Sequence, residues 1–287
     1  MLLTVRAAII AALFFSSVPS FSQVKADKAE TYKDIIEKAY NLSLQKDRQQ
    51  ALLILNSAIK KETRPQAIAE LKKTASELSQ MFLSDKAQQL FEMGISLRKA
   101  DPNQSLAKLN EAARAENDNS AIINEQARLM IAKGDCSGAK ELVAKQQILV
   151  PWDEELKLTQ SQILLCQGQS LELAQVLATV DTKKSTLHLF WTALDIDKNV
   201  KDGNFVKAQE SLTALQKADG RFPEVFYWTW RIDNAQKRKN VAAAQKYVMS
   251  CKNISASQYR QYMIDPMLCR HLGEVESEIK GLNGTSE

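Results

Sequence analysis

The chain is short of the residues that punctuate β-rich folds, with only 9 glycines and 6 prolines among 287 residues. Too few turns are available to join many short strands, and no Val-, Thr- or aromatic-rich run alternates with period two. An all-β fold is therefore excluded. Histidine is scarcer still: His188 and His271 are the only two. Each lies alone on an expected helix beside apolar residues, without the further ligands of a zinc site or the orienting partner of a general base. The chain has no G-x-S-x-G, no H-E-x-x-H and no Gly-rich phosphate loop, and its four cysteines form no C-x-x-C. The familiar serine-hydrolase, metalloprotease, nucleotide-binding and thioredoxin-type sites have no foothold, and no cofactor or metal is called for. Asp195 and Asp197, like Glu154 and Glu155, are paired in sequence only. Helix neighbours one or two apart point in different directions, so a solvated face is expected rather than a glycosidase couple.

A strong excess of charge is missing as well. The formal net charge is +4, and losing Arg6 with the N-terminal segment would leave 37 basic against 34 acidic residues. That small, evenly spread balance argues against nucleic acid or an anionic membrane as partner. Long apolar runs are confined to the N-terminus, where Arg6 precedes Ala7 to Phe15 and Ser20-Phe21-Ser22 offers a small-x-small cleavage site. The run is shorter than the ~20 residues a transmembrane helix needs. A cleavable signal over 1–22 is expected, leaving residues 23–287 in the periplasm or secreted, with no stable membrane insertion once it is removed.

What is present is apolar material at helical spacing: 45% of the residues are hydrophobic and 25% charged. From Asp85 to Pro151 two helix-turn-helix units follow one another. Leu90, Met93, Gly94 and Leu97 share a face, Asp101-Pro102-Asn103 turns the chain, and Leu106, Leu109 and Ala113 continue. Ile123, Ala127 and Met130, then Gly134-Asp135, then Ala139 and Val143 repeat the pattern. Gly94 and Ala127 are 33 residues apart. Small residues at such places let helix axes approach, and stacking buries an apolar face that one hairpin cannot bury alone.

Here the chain resembles the tetratricopeptide repeat family, whose pattern of about 34 residues has small residues at its eighth, twentieth and twenty-seventh places. Ala39, Ala51 and Ala58 match all three, Ala127 and Ala139 match two, and Gly94 and Ala113 match two in the unit between. The resemblance spans about residues 29–255 and implies an all-α solenoid of five to six hairpins. An extra helix is expected at 66–82, because Ala39 to Gly94 is 55 residues, and capping helices at 256–282, divided by Asp265-Pro266.

The resemblance also implies a concave groove lined by the second, fifth, ninth and twelfth positions of each first helix. Carried over, these are Lys33, Ile36, Tyr40 and Ser43, then Gln88, Phe91, Ile95 and Arg98, then Ala121, Asn124, Arg128 and Ile131. The family's carboxylate-gripping Lys and Asn pattern is missing, and a mixed apolar and basic groove suits an extended or helical peptide. Stacked turns would bring Cys136 beside Cys166, and Cys251 with Cys269 would staple the last full unit to the cap. Buried free thiols are the alternative. The aromatic stretch Phe222 to Trp230 is expected to pack against its neighbours rather than form a ligand shelf.

Two functions follow as expectations. The first is a non-enzymatic scaffold or adaptor that binds an envelope protein or peptide in the groove. The alternative is a cell-wall enzyme or enzyme regulator, in which one Glu of raised pKa acts on peptidoglycan inside a helical ring. RNA binding by helical repeats would require the basic character that the chain lacks.

Overall fold

The computed structural model describes residues 30–98, 100–181, 184–254 and 268–284. The expected signal at 1–22 and the first part of the cap, 256–267, lie outside them. All helices fall in one unit, Tyr32–Glu287. Among the described residues there are fourteen helices and no strand. They run α1 (Tyr32–Leu44), α2 (Arg48–Lys61), α3 (Pro65–Gln80), α4 (Asp85–Leu97), α5 (Pro102–Ala115), α6 (Ser120–Ala132) and α7 (Cys136–Leu149). Then come α8 (Glu154–Cys166), α9 (Ser170–Thr179), α10 (His188–Lys201), α11 (Phe205–Ala218), α12 (Pro223–Ala235), α13 (Val241–Lys252) and α14 (Leu272–Gly284). Helix packs on consecutive helix along the chain, apart from the step between α3 and α4, which makes the protein an all-α solenoid of hairpins. No described helix is long and apolar enough to cross a membrane.

The hairpin turns are built to one plan. After α1, α6, α8, α10 and α12 a residue takes positive φ: Lys46, Gly134, Gly168, Gly203 and Lys237. The next N–H reaches back over the turn, Asp47 to Leu42 O, Asp135 to Met130 O, Gln169 to Leu164 O, Asn204 to Asn199 O and Arg238 to Asp233 O. This closes the carbonyls left open at a helix C-terminus. A side-chain oxygen of Asp47, Asp135, Asn204 or Asn240 then caps the N-terminus of the following helix. The small residues of the pattern sit where helices cross: Ala39, Ala51, Ala127, Ala139 and Ala208 have no exposed surface.

Stacking departs from the order in which hairpins occur. The periodicity treats α4 and α5 as a regular unit and α3 as the odd helix. In space α3 lies against α1, α2 and α6, and α2 also touches α7, whereas α4 packs extensively only on α5 and α5 on α4 and α6. The apolar groups agree. Leu52 and Leu55 of α2, Leu71 and Leu78 of α3 and Ile123 of α6 share a core that takes nothing from α4 or α5. Leu90, Ala112 and Ile122 form a small core of their own with Phe82 and Phe91. Each leucine fully buried in the main core contributes about 1.5–3 kcal/mol, so the larger cluster decides which helices abut. The α4–α5 hairpin is an excursion from the stack.

Candidate protein-binding surface

The groove positions divide into an exposed and an enclosed set. On α1, Lys33 is exposed, Ile36 half-buried and Tyr40 exposed, while Ser43 is buried. Tyr40 Oη donates to Glu77 of α3 at 3.1 Å, which joins the solvent faces of α1 and α3. Partial burial, with Glu77 adding to it, raises the Tyr40 phenol above its ordinary pKa. On α4, Gln88 is exposed and its amide donates to Glu92 at 3.0 Å. Phe91 and Ile95, one turn apart on the same helix, remain half-buried. Phe91 lies against Phe82 with ring centroids 5.1 Å apart. Because α4 packs extensively only on α5, Phe82, Phe91 and Ile95 stay half-buried and leave apolar surface open to solvent.

Arg98, Asn124 and Arg128 lie inside. The hairpin covers α6: Gln126 Nε2 donates to Asn110 of α5 at 2.7 Å, and Arg98 Nη1 reaches both Glu125 oxygens at 3.3 Å. Arg128 continues the chain of charges, 3.7 Å from Glu125 and 3.8 Å from Glu155 of α8, with its Nε donating to Thr159 at 3.0 Å. Alternating Arg98, Glu125, Arg128 and Glu155 leaves no buried charge unopposed, the condition under which ions survive away from water. Asn124, 1% exposed, has no hydrogen-bond partner for its amide. Ala121 is half-buried and Ile131 buried, so α6 presents no groove to solvent.

Periodicity missed the group that closes the base of the excursion. Arg48 at the start of α2 is fully buried; its Nε donates to Leu78 O at 3.0 Å, and its other nitrogens reach Met81 O, Glu116 and Asp118. Glu116 also accepts from Leu83 N at 2.8 Å, and Asn119 Nδ2 donates to Gln80 O and Met81 O. The segments leaving α3 and entering α6 are thus laced together by one guanidinium, two carboxylates and one amide. An arginine at a helix start carries no sequence mark of such a role.

The four cysteines form two disulfides, Cys136–Cys166 with Cα atoms 5.9 Å apart and Cys251–Cys269 at 5.8 Å. Both expected pairings are present, and disulfides of this kind belong to an oxidising compartment. The first joins the α6–α7 turn to the end of α8. Beside it lies an open recess of about 560 Å³ lined by Asp135, Cys136, Ser137, Lys140, Gln167 and Gln169. The second ties α13 to the chain just before α14. There the aromatic stretch is internal, with Phe222, Tyr227, Trp228 and Trp230 all buried. Burial pushes the Tyr227 phenol well above its ordinary range. Among the described residues no group of three or more His, Cys, Asp or Glu side chains converges as metal ligands would.

Comparison of the chain with known protein families, with curated proteins and with solved structures finds no match.

Proposed function

We propose that the protein is a non-enzymatic scaffold that holds an extended or helical segment of an envelope protein. The observation that carries this reading is the exposed part of the groove set: Lys33, Ile36 and Tyr40 on α1, and Gln88, Phe91 and Ile95 on the one-sided helix α4. Half-buried apolar groups beside polar ones, carried on rigid helices, suit a partner that lays an amphipathic face against them. The buried charges Arg98, Glu125 and Arg128 are committed to one another and so hold helices together. The tetratricopeptide resemblance supports a module that organises an assembly, and the apolar N-terminal run together with the two disulfides supports a periplasmic or secreted setting.

Site-specific photocrosslinking in the native cell tests the reading, with probes at Tyr40 and Phe91 and a control at exposed Lys217 of α11. A discrete protein adduct from the first two and none from Lys217 is expected. Equal labelling from all three probes, or soluble fragments released from purified peptidoglycan by the protein, would overturn it.

A further inference from the structure

The two disulfides stand in opposite surroundings. Cys251 and Cys269 are each 7% exposed and belong to the core around Tyr227 and Trp228. Cys136 and Cys166 are only half-buried, and Cys136 lines the recess between the α6–α7 and α8–α9 turns. The recess is polar: apart from the cysteine, its main side chains are Ser137, Gln167, Gln169, Asp135 and Lys140. Asp135 is the one acid there, and its Oδ1 accepts from Gly138 N at 2.9 Å, so it is already engaged in capping α7. Lys140, exposed one turn along α7, and the N-terminal turn of that helix supply positive potential to an entering anion.

Disulfides exchange by thiolate attack, and rate depends on access to the sulfur that is attacked. Of the two cysteines Cys136 lines the recess, whereas Cys166 packs against the core shared by α1 to α3 and α6 to α8.

We propose that Cys136–Cys166 is an exchangeable disulfide that accepts an external thiol at Cys136. A thiolate in the recess attacks Cys136 Sγ and forms a mixed disulfide there. The Cys136–Cys166 bond breaks, and its electron pair leaves on Cys166 Sγ, which takes a proton from water. A second thiolate then attacks the outer sulfur of the mixed disulfide, removes the first thiol as a disulfide and leaves Cys136 reduced. The net change is reduction of the bridge by two thiols. It unfastens the α6–α7 turn from α8 while Cys251–Cys269 continues to hold the cap.

The test uses the intact oxidised chain and reduced glutathione as the thiol, with acid quenching, alkylation and peptide mapping over time. Cys136–Cys166 is expected to open about tenfold faster than Cys251–Cys269 or more, and the glutathione adduct to lie on Cys136. Opening of both bridges at one rate, or an adduct lodged on Cys166, overturns the assignment. Lys140→Glu provides the second arm, because it reverses the charge at the recess without touching either sulfur. It is expected to slow opening of Cys136–Cys166 severalfold and to leave Cys251–Cys269 unchanged. An unaltered rate at Cys136–Cys166 would show that thiol does not enter through the recess.

Discussion

At the scale of single residues, His271 shows how packing settles a protonation state. Its ring is stacked on Tyr227 with centroids 4.1 Å apart and planes 3° from parallel. Arg270 Nε donates to Nε2 at 2.7 Å, and Nδ1 faces Glu274 at 2.9 Å. The first contact uses the lone pair that a proton would occupy, so the ring is neutral, with its one N–H directed to the carboxylate. Burial first, then the charges of Arg270, Arg231 and Lys201, bring its pKa from 6.5 down to about 3. The folded value lies below the unfolded one, so between these two pH values the unfolded chain binds a proton that the folded chain refuses. Stability is therefore full above the unfolded pKa and falls as pH drops from about 6.5 towards 3, by at most about 1.4 kcal/mol per pH unit. His271→Phe keeps an aromatic ring on Tyr227 and removes the titration. Urea unfolding at pH 7, 5.5 and 4.5 should show a shallower loss of stability in the variant than in the wild type. Parallel pH profiles would mean that His271 takes up its proton as readily folded as unfolded.

At the scale of elements, the α4–α5 excursion depends on Arg48. Arg48→Met removes the cation but leaves Glu116, 7% exposed, buried without its main partner. Breaking a buried pair in this way costs about 3–5 kcal/mol. Arg48→Met with Glu116→Gln should recover part of that loss, since the carboxylate left without its cation is then only Asp118, which is part-exposed. Hydrogen exchange should localise the effect, with amides of residues 84–116 losing protection before those of α10 to α13. An Arg48→Met protein as stable as wild type would remove the latch. The hairpins themselves were legible because their signals are local: Asp101 to Asp135 is 34 residues, Gly134 to Gly168 is 34, and small residues such as Ala127 and Ala139 mark the crossings. Their neighbours were not legible, since which helix covers α6 depends on the apolar face of α3 and on a guanidinium 68 residues before Glu116. The groove assignment placed Arg98, Asn124 and Arg128 in solvent, and the structure buries them, for the same reason. It presumes a first helix open on one side, and α5 closes that side of α6. Lys33 and Gln88 stay exposed and Phe91 half-buried, because no described helix closes over them as α5 closes over α6.

At the scale of the molecule, the two larger cores among the described residues meet on one helix. Leu156 and Ile163 of α8, seven residues apart, point into the core shared with α1 to α3, α6 and α7. Leu158 and Leu165, also seven apart, point into the core that runs through α9 to α14. Two residues along a helix turn a side chain through more than half a circle, so α8 offers one apolar face to each core. Repeat proteins lose cooperativity when neighbouring interfaces differ in strength, and these do. The second core holds Trp191, Trp228 and Trp230 with Phe222 and Tyr247, and each such ring buries about 150–250 Å². The first has Trp152 and Tyr32 at its margin and no tryptophan inside. In urea, tryptophan fluorescence therefore follows mainly the second core while far-ultraviolet circular dichroism follows both, and the fluorescence midpoint should lie at higher urea. Leu212→Ala, on α11, should lower the fluorescence midpoint through a loss of about 2–5 kcal/mol. Leu55→Ala, on α2, should shift the dichroism curve at its low-urea end and leave fluorescence nearly in place. Superimposable curves in the wild type, with both variants moving both signals together, would show instead that α8 transmits unfolding from one core to the other.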